Sequence, residues 1–236
     1  MNKIIRYSLL AILLGVVGSV LSVPEAKAQD VINEILRRMD AHNKKIQSLK
    51  ADLTMAKFDA GLQQPDKPKI GSTKYLPKSK LTNNMIYARV DWTKPVEEQL
   101  SVIGDNFTTY EPRLQRVMKG SKSSKGQGGS KVGSVLSFMT MSRAELKANY
   151  TVIYIGEEQI IGGTNTWHLQ LTPIGAASYK SADLWVDKDG MPRQSKVTEQ
   201  NNDTTTLLLT NIEKNIKIDP KIFELTYPKS IKPTKV

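Results

Sequence analysis

The sequence predicts a mainly β (α+β) fold, an antiparallel meander of roughly ten or eleven strands behind one amphipathic helix. Three observations carry that expectation. From Leu49 onward apolar and polar residues alternate with a period of two. Turn-forming residues recur between the alternating runs, and only the segment after Asp30 keeps a helical period over any length.

The chain opens with Lys3 and Arg6, an apolar run from Leu9 to Leu21, then Pro24 and the triplet Ala26-Lys27-Ala28. This is the layout of a cleaved secretory signal over residues 1–28, with cutting expected between Ala28 and Gln29. A membrane span would need roughly 20 apolar residues, more than this run supplies. Residues 29–236 then suffice for a single β domain. Of 34 Lys and Arg and 23 Asp and Glu, the leader takes Lys3, Arg6, Lys27 and Glu25, so 31 against 22 leaves +9. That excess suits an anionic lipid surface or an acidic partner, and no basic helix or aromatic-and-basic motif points to nucleic acid. Without Cys there are no disulfides and no N-terminal cysteine to acylate.

In "DVINEILRRMDAHNKKIQSL" the residues Ile32, Ile35, Leu36, Met39 and Ile46 recur at helical spacing, with Asp30 as the expected N-cap. His42 lies near the apolar stripe and reads as a packing residue rather than a ligand. Leu49, Ala51, Leu53 and Met55 then alternate with Lys50, Asp52 and Thr54 as a first strand. Further strands are expected near 70–76, 81–92, 97–103, 107–110, 114–118, 150–156, 166–172, 182–187, 193–200 and 204–212. Gly104-Asp105-Asn106, Gly162-Gly163, Asp187-Lys188-Asp189-Gly190 and Asn201-Asn202-Asp203 supply hairpin turns.

Two stretches break the rhythm. Residues 120–133, rich in Gly, Ser and Lys, read as a mobile linker feeding Val135, Leu136, Phe138, Met139 and Met141. Ser142-Arg143-Ala144-Glu145 has capping-box spacing, so two short helices in tandem are expected there. Later, Asp219-Pro220 can start a helical turn and Phe223 can plug into the core.

Catalytic signatures are missing from the sequence. It holds no thiol, no Gly-x-Ser-x-Gly elbow, no phosphate-binding loop, and only His42 and His168 as imidazole bases. Asp187 and Asp189 are better explained by turn chemistry than by a cation site. We therefore expect no enzyme, no metal and no cofactor.

Four stretches together resemble the LolA-type outer-membrane lipoprotein carriers of the bacterial periplasm. They are "ILRRMDAHNKKIQSLKADLTM", "VDWTKPVEEQLSVIGDNFTTYEPRLQRV", "SVLSFMTMSRAEL" and the C-terminal run from Trp167 to Ile231. The resemblance implies an unclosed, strongly curved antiparallel barrel with short lid helices over a hydrophobic cavity. It also implies a monomeric periplasmic carrier, which takes acylated lipoproteins from an inner-membrane ATP-driven release complex to an outer-membrane receptor, whose existence the sequence leaves open. The alternative is a lipid- or lipoprotein-sensing regulatory module on the same fold. The family's Arg-Pro after the second strand is replaced here by Leu76-Pro77-Lys78, leaving Lys78 or Arg89 as the lid latch. The long Lys and Gly insertion is a further departure.

On this reading Val135, Leu136, Phe138, Met139 and Met141 form either the inner face of a lid or a packed core. Leu53, Met55, Trp92, Leu100, Val102, Leu169 and Trp185 are expected to share one buried sheet face, packed or hollow, that would line the acyl-chain cavity.

Overall fold

A computed structural model describes residues 25–121 and 141–236. Helix α1 (Glu25–Lys45) comes first, followed by strands β1 (Leu49–Asp59), β2 (Gln64–Pro65), β3 (Lys69–Leu76), β4 (Tyr87–Lys94), β5 (Glu98–Ile103), β6 (Asn106–Glu111) and β7 (Arg116–Ser121). Helix α2 (Arg143–Asn149) leads into β8 (Tyr150–Ile160), β9 (Thr164–Pro173), β10 (Tyr179–Asp187), β11 (Pro192–Glu199), β12 (Thr204–Lys214) and the two-residue β13 (Thr234–Lys235).

All thirteen strands join one sheet in the order β13-β7-β6-β5-β4-β3-β1-β12-β11-β10-β9-β8, with β2 beside β1. Neighbours pair antiparallel except β13, which runs parallel to β7. The outermost strands β13 and β8 do not pair with each other, so the curved sheet stays an open barrel. The predicted meander is therefore present, with two joins between strands distant in sequence: β1 meets β12 at the centre, and β13 returns to β7 at one border.

Strand parity sets the two faces. In β1 the residues Leu49, Ala51, Leu53 and Met55 all face the inner side and are buried. Helix α1 lies on that side and inserts Ile32, Ile35, Leu36 and Met39, each at most 5% exposed, into the main core. The helix begins at Glu25 rather than at the expected cap Asp30, because Ala26 and Ala28 are strong helix formers and extend it by a turn. The turn between β10 and β11 docks on it. There Asp187 Oδ1 accepts the N–H of Asp189 at 3.0 Å and of Met191 at 2.9 Å, so the acidic pair acts as turn chemistry. Gly190 has φ +83°, and a Cβ there would stand 2.4 Å from the backbone of Arg38. Only glycine admits both the turn and the helix at that distance.

The outer face carries a second, smaller core. Asp219 caps a 3₁₀ turn, Pro220–Phe223, by accepting the Lys221 N–H at 2.9 Å. Phe223, fully buried, packs there with Leu76 and Ile218. The expected plug thus exists, on the outside of the sheet. At the start of α2, the Ser142 side chain accepts from Glu145 N–H while Glu145 accepts from Ser142 N–H at 2.8 Å, which is the anticipated capping box. The first of the two expected tandem helices falls outside the described residues, as do residues 1–24. No helix among the described residues is long and apolar enough to cross a membrane.

Candidate functional site

Cross-strand registers arrange the inner face into rows that run across the strands. One row reads Tyr154, Leu169, Leu184, Ser195, Leu207 and Met55, from β8 through β12 to β1. α1 seals this half. Arg38 lies 5.2 Å over the Trp167 ring of β9, and Asp40 accepts the backbone N–H of Arg143 at 2.8 Å. Leu169, Leu184 and Leu207 are consequently fully buried.

The other half differs. Its outer row runs Leu49, Tyr75, Ala88, Val102, Phe107 and Gly120 across β1 and β3 to β7. Tyr75, Ala88, Val102 and Phe107 are only half-buried, although Tyr75, Val102 and Phe107 pack against the same core. A Cβ at Gly120 would lie 2.6 Å from the Phe107 ring, so this glycine makes room for the ring to lie flat at the border of the sheet. The next row inward, Val90, Leu100 and Thr109, is buried. Thr109 Oγ1 is buried there without a hydrogen-bond partner. A half-open apolar shelf of this kind is suited to alkyl chains.

Of the residues expected to line a cavity, Leu53, Met55, Trp92, Leu100 and Leu169 lie together on the inner face and are buried, and Val102 sits half-buried on the shelf. Met141 packs against the same core, and its carbonyl faces Asn43 of α1. Val135, Leu136, Phe138 and Met139 lie outside the described residues. Trp185 does not share the face. Both faces of β10 are buried, so parity could not be read from hydrophobicity, and Trp185 projects outward into a cluster with Ile160 and Leu208. Phe107 was not singled out in the sequence. Its signal was the two-residue Gly104-Asp105 turn, which pairs Ile103 with Asn106 and hence Val102 with Phe107.

The two latch candidates part company. Arg89 points outward, where it bonds Asp91 at 2.8 Å and donates to the carbonyl oxygen of Ile222. It therefore anchors the C-terminal turn and cannot reach across the inner face. Lys78, exposed at the end of β3, lies within electrostatic reach of Glu145. The Glu145 carboxyl is held below its usual value first by the Ser142 backbone and hydroxyl donors and further by the Lys78 charge.

A polar cluster on the outer face was not foreseen. His168 is held at both ring nitrogens, Nδ1 by Glu158 at 2.7 Å and Nε2 by Asp183 at 2.8 Å, and the Trp185 ring stacks on it at 4.3 Å. Lys196 completes the set at 3.2 Å from Asp183. Burial pushes the Asp183 carboxyl up, but the His168 hydrogen bond and the Lys196 charge outweigh it and hold it below the usual range. The register between β9 and β10 creates this cluster, and no spacing in the sequence reports that register.

One family pattern, described as an uncharacterized protein, matches residues 97–199. No curated protein matches the sequence significantly. Among solved structures, an uncharacterized conserved protein from Thermus thermophilus is similar over 87% of this chain and 99% of its own, at 12% identity and TM-score 0.54. A DUF1329 family protein from Desulfovibrio piger matches over 87% of this chain and 99% of its own, at 17% identity and TM-score 0.49. A LolA superfamily protein from Nitrosomonas europaea matches over 82% of this chain and 97% of its own, at 15% identity and TM-score 0.42. The Thermus structure places the chain in a known fold: one open, curved antiparallel sheet behind an N-terminal helix.

Proposed function

We propose that the protein is a periplasmic carrier that holds the acyl chains of lipoproteins against the half-covered shelf of its inner face and releases them intact. The observation that carries this reading is the unequal cover of one continuous apolar surface. α1 seals the rows on β8 to β12, whereas Tyr75, Ala88, Val102 and Phe107 remain half-exposed on the far side. Each methylene moved from water onto such a surface is worth about 0.8 kcal/mol, so a fatty chain needs a lining of this kind to cross an aqueous compartment. Release needs the lining to stay open on one side, as this sheet does.

The binding is non-covalent in this reading. His168, with carboxylates on both nitrogens and an indole on its face, has no nitrogen left to accept a substrate proton. Lys78 and Glu145 are assigned to hold the α2 end of the cover near β3.

Native mass spectrometry of the protein taken from its own periplasm tests the reading, with an added acyl or lipoprotein mass as the expected result. In a spheroplast assay with a competent inner-membrane release complex, the protein should keep a lipoprotein soluble. A ligand-free protein that also fails to release lipoprotein removes the proposal. Normal lipoprotein sorting after depletion, together with an altered envelope stress response, would reassign the protein as a lipid sensor.

A further inference from the structure

A second concavity lies away from the shelf, where the last turns of α1 meet the β10–β11 turn and the end of β12. Its volume is about 490 Å³, and five cationic side chains line it: Arg37, Arg38, Lys45, Lys188 and Lys214. Against them stand two carboxylates, Asp189 in the lining and Glu34, which both arginines share at 2.8 and 2.7 Å. Among the described residues Lys45, Lys188 and Lys214 enter no salt bridge. Three separate elements thus direct uncompensated ammonium groups into one hollow.

Turn chemistry and helix capping explain only part of this. Lys45 suits the negative end of α1, and the β10–β11 turn tolerates any residue beside its aspartates. Neither accounts for Lys214, on a different strand, or for His42 at the base. His42 is among the residues that line the pocket and is only 8% exposed, with its Nε2 closed off from solvent.

We propose that this pocket binds a phosphoryl group. A tetrahedral, multiply charged anion can take charge-assisted hydrogen bonds from several directions at once, which a single carboxylate cannot. The Arg38 guanidinium, oriented by Glu34 and by the Lys188 carbonyl at 2.8 Å, offers a fixed donor, and the three lysines close around it. The group is either the headgroup phosphate of an anionic lipid or a free phosphate. The assignment stands independently of acyl-chain binding on the inner face.

The test compares the unaltered protein with K45Q/K188Q/K214Q, all exposed positions, and with K229Q/K232Q/K235Q as a charge-matched control. Inorganic phosphate, against sodium chloride of equal ionic strength, is titrated by NMR with the His42 and Asn215 resonances as reporters. Vesicles of phosphatidylglycerol, with phosphatidylcholine as the neutral comparison, are titrated by flotation. We expect saturable binding that the pocket variant weakens at least tenfold and the control leaves within twofold. Binding of inorganic phosphate alone identifies a free-phosphate site, and binding of anionic vesicles alone identifies a headgroup site. The proposal is overturned if phosphate leaves the His42 and Asn215 signals unmoved and the anionic vesicles float without the protein, or if the control variant loses as much affinity as the pocket variant.

Discussion

The two halves of the inner face use the same kind of residue for different ends. On β8 to β12, Leu169, Leu184 and Leu207 meet Ile35, Leu36 and Met39 of α1 and disappear from solvent. On β3 to β7, Tyr75, Val102 and Phe107 continue the surface and remain half-open. The difference teaches that stability and ligand capacity are separated across the sheet. One half is closed by the chain's own helix, and the other keeps apolar area unspent.

The largest effect that can break this comparison is truncation on each side. Leu36→Ala should cost about 2–5 kcal/mol, since it empties a fully buried site, with a matching fall in the thermal midpoint. Val102→Ala, on the shelf, should cost about 1 kcal/mol or less while weakening acyl-chain binding. Equal stability losses from the two would erase the distinction between a sealed and an open half.

Next comes acidity. Burial, with the Lys214 charge adding to it, lowers the His42 pKa to about 4; Arg193 acts in the same sense, while Asp187 and Asp189 oppose it. The unfolded chain, with His near 6.5, binds this proton more readily, so stability is complete above about pH 6.5 and declines as pH falls toward 4. Denaturant titrations should show a loss of roughly 2–3 kcal/mol over that window, and His42→Gln should flatten it. Asp183 acts lower on the scale. Its folded carboxyl holds a proton less readily than the unfolded one, so its contribution is full above about pH 4 and lost on further acidification.

The smallest expected change is local. Ser142→Ala removes the hydroxyl half of the capping box, leaving the Ser142 backbone N–H bond to Glu145, and should cost about 1 kcal/mol, read as faster amide exchange at Leu146 with the rest of the sheet unchanged.

Most strands were legible because one face of each is wetter than the other, as in β1 and β8. The stretch 81–86 misled, because Leu81 belongs to a turn in which Thr82 bonds back to the Pro77 and Ser79 carbonyls. β10 was legible as a strand but not in its facing, since it is buried on both sides, and Trp185 was placed on the wrong one for that reason. The shelf was half legible. Val102 stood out by alternation, whereas Tyr75 and Phe107 join it only through pairings between strands. Arg89 looked available as a latch because nothing in a sequence tells which side of a strand the returning C-terminal turn will occupy.

The borders of the sheet are unlike. β8 pairs with its neighbour from Tyr150 to Ile160 with one bulge at Ile155, while β13 clings to β7 through Thr234, Lys235 and one bond from the Val236 N–H to the Lys119 carbonyl. Under tension the protein should tear from that weakly sewn hem first, losing its final residues before any of the barrel wall yields.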